Sequence, residues 1–154
     1  MARATAWAGA VAPGCARLLV PGESVAEAAR EAFARHGGPV LLAAADTPRL
    51  GPEHAAMALG DLAAGAAASL GPGMDGGWYL AALAAPHTAV LALLDESPGG
   101  ADAMGRLFAV AHEAGLEVGM LRMERMLRTA RDVRALRADP RTPDILRSAL
   151  PQMG

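Results

Sequence analysis

A chain of 154 residues, 53% hydrophobic and 19% charged, has room for one domain with a real core but not comfortably for two, and its composition excludes a disordered polymer. A net charge of −2, a basic set made of arginine alone and 3% aromatic residues leave no electrostatic footprint for nucleic acid. The lone Cys15 excludes an intrachain disulfide and a cysteine metal site, which points to the cytoplasm, and no segment reaches the ~18–20 apolar residues of a membrane span.

The elements alternate along the chain. Thr5 to Val11 and Arg17 to Val20 read as short strands separated by the Pro13-Gly14 turn; the first run is too short and too weakly apolar for a signal peptide. Ser24 followed by Glu27 has the spacing of a capping box and predicts a helix ending at His36-Gly37-Gly38. The apolar run Pro39 to Ala44 predicts a buried strand that delivers Asp46 onto a turn closed by Thr47-Pro48. Pro52-Glu53 opens a helix to about Ala64, and Ala67 to Leu70 is a strand leading into the glycine-rich loop Gly71 to Gly77. Trp78 to Leu83 is a strand, Thr88 to Leu94 a helix and Asp95 to Gly100 a loop. Ala101 to Ala114 is a helix, Leu116 to Leu121 a strand, and helices over Thr129 to Ala138 and Thr142 to Leu150 complete the chain. This alternation predicts a single three-layer α/β domain with a mostly parallel sheet.

Two loops carry the chemistry. Asp46 lies at the carboxyl end of a strand, where open α/β sheets bind ligands, and Asp75 lies in the glycine loop. Together they suggest a site for a metal-bound or nucleotide-linked phosphate. Local turn chemistry also accounts for both, since Asp-Pro neighbours favour turns and Asp75-Gly76 is a hairpin signal that would leave Trp78 and Tyr79 as plain sheet residues. The cluster Arg122 to Thr129 reads either as a phosphate contact, chiefly through Arg128, or as a solvated connection with Glu124 paired locally. The four histidines show no metal-site spacing and read as surface or capping residues, and Ser24 and Ser69 lack a nucleophile elbow. Met120, Met123 and Met126 recur every three residues, a stripe suited to self-association as a homodimer.

The order of Gly37-Gly38-Pro39-Val40-Leu41-Leu42, Ala45-Asp46-Thr47-Pro48, Asp75-Gly76-Gly77-Trp78-Tyr79-Leu80 and Leu127-Arg128-Thr129-x-x-Asp132-Val133-x-x-Leu136 resembles a bacterial family of glycosyltransferase-A-like proteins. That family is related to molybdenum-cofactor guanylyltransferase and 2-phospholactate guanylyltransferase, and the likeness covers Ser24 to Leu136. The resemblance implies a nucleotide-diphospho-sugar transferase fold. In it Asp46 would hold Mg²⁺ or Mn²⁺ on the phosphates of a nucleotide or nucleotide-sugar, because hard cations share oxygen ligands with phosphate. Asp75 would act with Asp46 in catalysis. Thr47, Pro48, Gly76, Gly77, Trp78, Tyr79 and Arg128 would line the donor or small-molecule acceptor pocket.

The chain departs from that pattern in three places. Set against the relatives' pattern, the given sequence is expected to be without their first strand and basic glycine loop. It has Glu96 to Gly100 where many carry a Trp-Ser-Thr segment, and Arg128 where they usually offer a second metal-binding aspartate. Two functions follow as expectations. One is a metal-dependent nucleotidyl- or glycosyltransferase; the other is a catalytically degenerate relative serving as a binding or oligomerisation module.

Overall fold

The segment from Gly73 to Gly77 is too short for a crossover, which needs a dozen or more residues, so the strands on either side of it must run antiparallel. The computed structural model, which describes residues 2–20, 22–96 and 102–150, shows that hairpin at the centre of a four-stranded sheet. Its elements are α1 (Ala2–Val11), α2 (Val25–His36), β1 (Val40–Ala43), α3 (Pro52–Ala63), β2 (Ala68–Pro72), β3 (Trp78–Leu83), α4 (Thr88–Glu96), α5 (Ala103–Glu113), β4 (Val118–Met120), α6 (Ala130–Ala138) and α7 (Asp144–Ala149).

The strand order is β1-β3-β2-β4. β3 pairs antiparallel with β1, Val40 facing Leu83, and with β2, Ala68 facing Leu83; β2 and β4 pair in parallel, Ala68 beside Val118. The sheet is therefore mixed, not mostly parallel as the alternation of elements predicts. The α/β class and the three layers stand. One face of the sheet packs on α2, α4 and α5 through residues such as Ala29, Leu91 and Leu107, the other on α1 and α3 through Trp7, Ala55 and Ala58. Every residue of β3 is buried, and from Leu80 onward successive side chains serve opposite faces: Leu80 and Ala82 one, Ala81 and Leu83 the other. No helix among the described residues is long and apolar enough to cross a membrane.

The N-terminal segment forms a helix in place of the expected strand. Alternate alanines carry the highest helix propensity, Pro13-Gly14 follows just beyond the end, and Trp7 fixes the helix by donating its indole N–H to Gly51 O at 2.9 Å. Residues 16–20 form no strand; Leu18 and Val20 are exposed, and Arg17 pairs with Glu23 and Glu31. Ser24 caps α2 as expected, accepting from Glu27 N at 3.1 Å. The second half of that cap comes from far along the chain. Asp95, in the last turn of α4 rather than in a loop, accepts from Val25 N at 2.6 Å and from Ser24 Oγ at 2.9 Å. The rest of the loop expected over 95–100, apart from helical Glu96, lies outside the described residues.

Because the carboxylate that meets the first N–H groups of α2 belongs to Asp95, Asp95→Ala should lower stability by about 1 kcal/mol, whereas Glu27→Ala should change it by only a few tenths. Urea unfolding followed by circular dichroism separates the two.

Candidate functional site

β1, β2 and β4 end at one edge of the sheet, and β3 begins there. The turn after β1 carries Asp46, and the hairpin between β2 and β3 carries Asp75. The hairpin is built closely: Gly73 N donates to Gly77 O at 2.8 Å, Gly77 N donates to Asp75 Oδ1 at 3.1 Å, and Gly76 holds φ at 87°. At Gly73 two side-chain ends crowd the backbone. A Cβ there would lie 2.6 Å from Asp75 Oδ1 and 2.8 Å from Met126 Sδ.

The third strand end contributes the segment from Leu121 to Thr129. Leu127 N donates to Asp46 O at 2.7 Å, which brings Arg128 over both turns. Its Nε lies 2.6 Å from Asp46 Oδ2 and its Nη1 2.6 Å from Asp75 Oδ2. One guanidinium thus joins two carboxylates that stand 82 and 53 residues away in sequence. All three side chains are partly open to solvent, at 33% for Asp46, 35% for Asp75 and 27% for Arg128. Beside them is a cleft of about 530 Å³ walled by Met74, Asp75, Met123, Arg125, Arg128 and Arg131.

At the floor of the cleft, α6 begins with a capping box. Thr129 Oγ1 accepts from Asp132 N at 3.2 Å, and Asp132 Oδ2 accepts from Thr129 N at 2.9 Å. Although partial burial opposes it, hydrogen bonds from Thr129 and Arg125 hold the Asp132 carboxyl below the usual range. Arg125 is thereby engaged, 3.2 Å from Asp132, while exposed Arg131 makes no ion pair among the described residues.

Of the residues the sequence singles out, Asp46, Asp75, Gly76, Gly77 and Arg128 meet at this edge. Thr47 and Pro48 continue the Asp46 turn; Thr47 is buried, with its hydroxyl unpartnered among the described residues. Trp78 and Tyr79 lie in the two cores and not on the cleft. The Tyr79 hydroxyl donates to Arg122 O at 3.0 Å, and burial raises its pKa far beyond the usual phenol range. The methionine stripe is broken: Met120 and Met123 are exposed, but Met126 is core.

Behind the site lies a feature that the sequence reading places at the surface. Glu124 is 2% exposed; it sits 2.8 Å from Arg122 Nε, 3.3 Å from Arg49 Nε and 3.4 Å from His54 Nε2. His54 is buried too, and its Nδ1 accepts from Gly51 N at 3.0 Å at the start of α3. It is thus a capping histidine, as expected, but a core one. Burial pushes the Glu124 carboxyl up, yet the His54 hydrogen bond and the Arg49 and Arg122 charges outweigh it and hold its pKa below the usual value.

The residues present do not fit a divalent cation. Two carboxylates are enough for Mg²⁺ or Mn²⁺ where water and phosphate complete the shell, but here the Arg128 guanidinium fills the space that Asp46 and Asp75 would share. Among the described residues no group of three metal-binding side chains occurs.

Comparison with known proteins agrees with the fold. Residues 17–98 match the sequence pattern of a bacterial family described as uncharacterised and conserved in bacteria (DUF2064). A crystal structure from Desulfovibrio desulfuricans G20, provisionally named a nucleotide-diphospho-sugar transferase, superposes with a TM-score of 0.69 at 26% identity over 87% of this chain. The chain spans 59% of that protein's length. No curated protein matches.

Two outcomes follow from this geometry. Gly73→Ala should displace the ends of the Asp75 and Met126 side chains and loosen the Asp75–Arg128 contact. Because both ends can swing aside, the denaturation midpoint should fall by the equivalent of about 1 kcal/mol or less. Because the Glu124 pKa is depressed in the folded state, its contribution to stability is full above the unfolded value of 4.5 and is lost as pH falls through the folded value. Melting temperature should therefore drop as pH falls below about 4.5, and part of that drop should be missing in Glu124→Gln.

Proposed function

The chain belongs to the DUF2064 family of bacterial proteins, and on that premise we propose that its cleft binds the phosphates of a nucleotide or nucleotide-sugar without a divalent cation. The observation that carries this reading is the convergence of Asp46, Asp75 and Arg128 beside a cleft whose walls hold three arginines. Two of the three are committed to acids, so exposed Arg131 is the residue assigned to meet phosphate, with its fork of donors matched to phosphate oxygens. Asp46 keeps its second oxygen for a ribose or sugar hydroxyl. The kinship with guanylyltransferases that the motifs suggest makes guanine nucleotides the first ligands to try.

This is the binding-module reading of the fold. The metal-dependent transferase reading loses ground to it because Arg128 takes the place where the cation would act.

The test is a thermal-shift titration of the purified chain in chelator with GTP, UTP, UDP-glucose and GDP-mannose. A ligand at about 100 times its dissociation constant should stabilise the fold by roughly 2.7 kcal/mol, and Arg131→Ala should remove most of that shift. No shift with any of the four, with or without Mg²⁺, overturns the proposal. A shift that appears only with Mg²⁺ returns the case to the metal-dependent transferase.

A further inference from the structure

We infer that Arg128 is a built-in replacement for a divalent cation, so that this site is one substitution away from binding metal but binds none as it stands. The inference concerns the site's charge and does not depend on which ligand the cleft takes. Its basis is geometric. Two carboxylates from separate turns converge, and what bridges them is a covalently tethered monocation making one short hydrogen bond to each, 2.6 Å in both cases. The anchor point is fixed independently of the guanidinium. Leu127 N is bonded to Asp46 O, and Thr129 and Arg128 backbone N–H groups are bonded to Asp132, so residue 128 is held over the acids from both sides.

Without a counter-charge, Asp46 and Asp75 would repel each other while partly withdrawn from water. Arg128 removes that repulsion without recruiting an ion from solution. The difference in charge has a consequence. Two carboxylates with one guanidinium sum to −1, whereas with a divalent ion they would sum to zero. The cluster therefore has no surplus positive charge with which to attract phosphate, which leaves that task to the exposed Arg131 side of the cleft.

An aspartate at position 128 would reverse the logic. Three carboxylates would then converge from three segments, a donor set of the hard-oxygen kind that takes Mn²⁺. Titration of Mn²⁺ into the full chain, with free ion read by electron paramagnetic resonance, tests this. The unaltered protein should leave the Mn²⁺ signal untouched. Arg128→Asp should sequester one equivalent with at least about tenfold tighter affinity, and the double variant Arg128→Asp with Asp46→Asn should lose it. Circular dichroism checks folding, and if Arg128→Asp does not fold, Arg128→Ser, which opens the same space between the two remaining acids, takes its place. Sequestration of Mn²⁺ by the unaltered chain that disappears in Asp46→Asn overturns the inference. So does a folded position-128 variant that takes up no Mn²⁺.

Discussion

Glu124 is the residue on which the arrangement of the site depends. A carboxylate 2% exposed would cost several kcal/mol to bury alone, and it is tolerated because Arg49, Arg122 and His54 reach it from three directions. Those partners belong to the turn after β1, the segment after β4 and the first turn of α3. Its backbone adds two more ties, Glu124 N to Pro72 O at 3.0 Å and Met74 N to Glu124 O at 3.0 Å, which extend the parallel pairing of β2 and β4 to the hairpin. Glu124 thereby sets the register of all three segments that later converge on Arg128. Removing one partner leaves the other two in place, so the loss stays below the roughly 3–5 kcal/mol measured when a buried charge is left uncompensated.

Arg128 works under different physics. Its pairs are about one-third exposed, so solvent screening reduces each to roughly 1 kcal/mol or less. Such a contact does little for global stability. It fixes where two acidic turns stand relative to each other, and that is what a ligand would encounter. The division of labour is between a buried network that holds the scaffold and a surface clamp that shapes the cleft.

Much of this was legible in the sequence where local chemistry decides the outcome. The Ser24 cap, the strand before Asp46, the Pro52 start of α3 and the hairpin signal in Asp75-Gly76 are all signals within a few residues. The sheet direction was legible too, since the short connection from Gly73 to Gly77 forbids a parallel crossover. The alternation of strands and helices hid it. The N-terminal helix was missed because alternating small residues mimic strand periodicity while their alanines favour helix. What local pattern cannot carry is pairing at long range. Nothing near Glu124 announces Arg49 and His54, and the Asp95 cap on α2 is formed across 70 residues. Arg128 was visible as a departure from its relatives, but only the fold shows it bridging both acids.

The two tryptophans have a consequence for how this molecule can be watched. Trp7 is packed in the core under α1 and α3, and Trp78 in the core under α2, α4 and α5, so the sheet separates the two indoles. The Trp7 indole donates a hydrogen bond to Gly51 O, while Trp78 is buried with its N–H unpartnered among the described residues. Emission from Trp7 therefore senses whether the N-terminal helix is seated, and emission from Trp78 senses the opposite layer and the hairpin that begins β3. With a single tyrosine in the sequence and that one wholly buried, nearly all intrinsic fluorescence comes from these two positions. The domain carries one optical reporter on each side of its sheet.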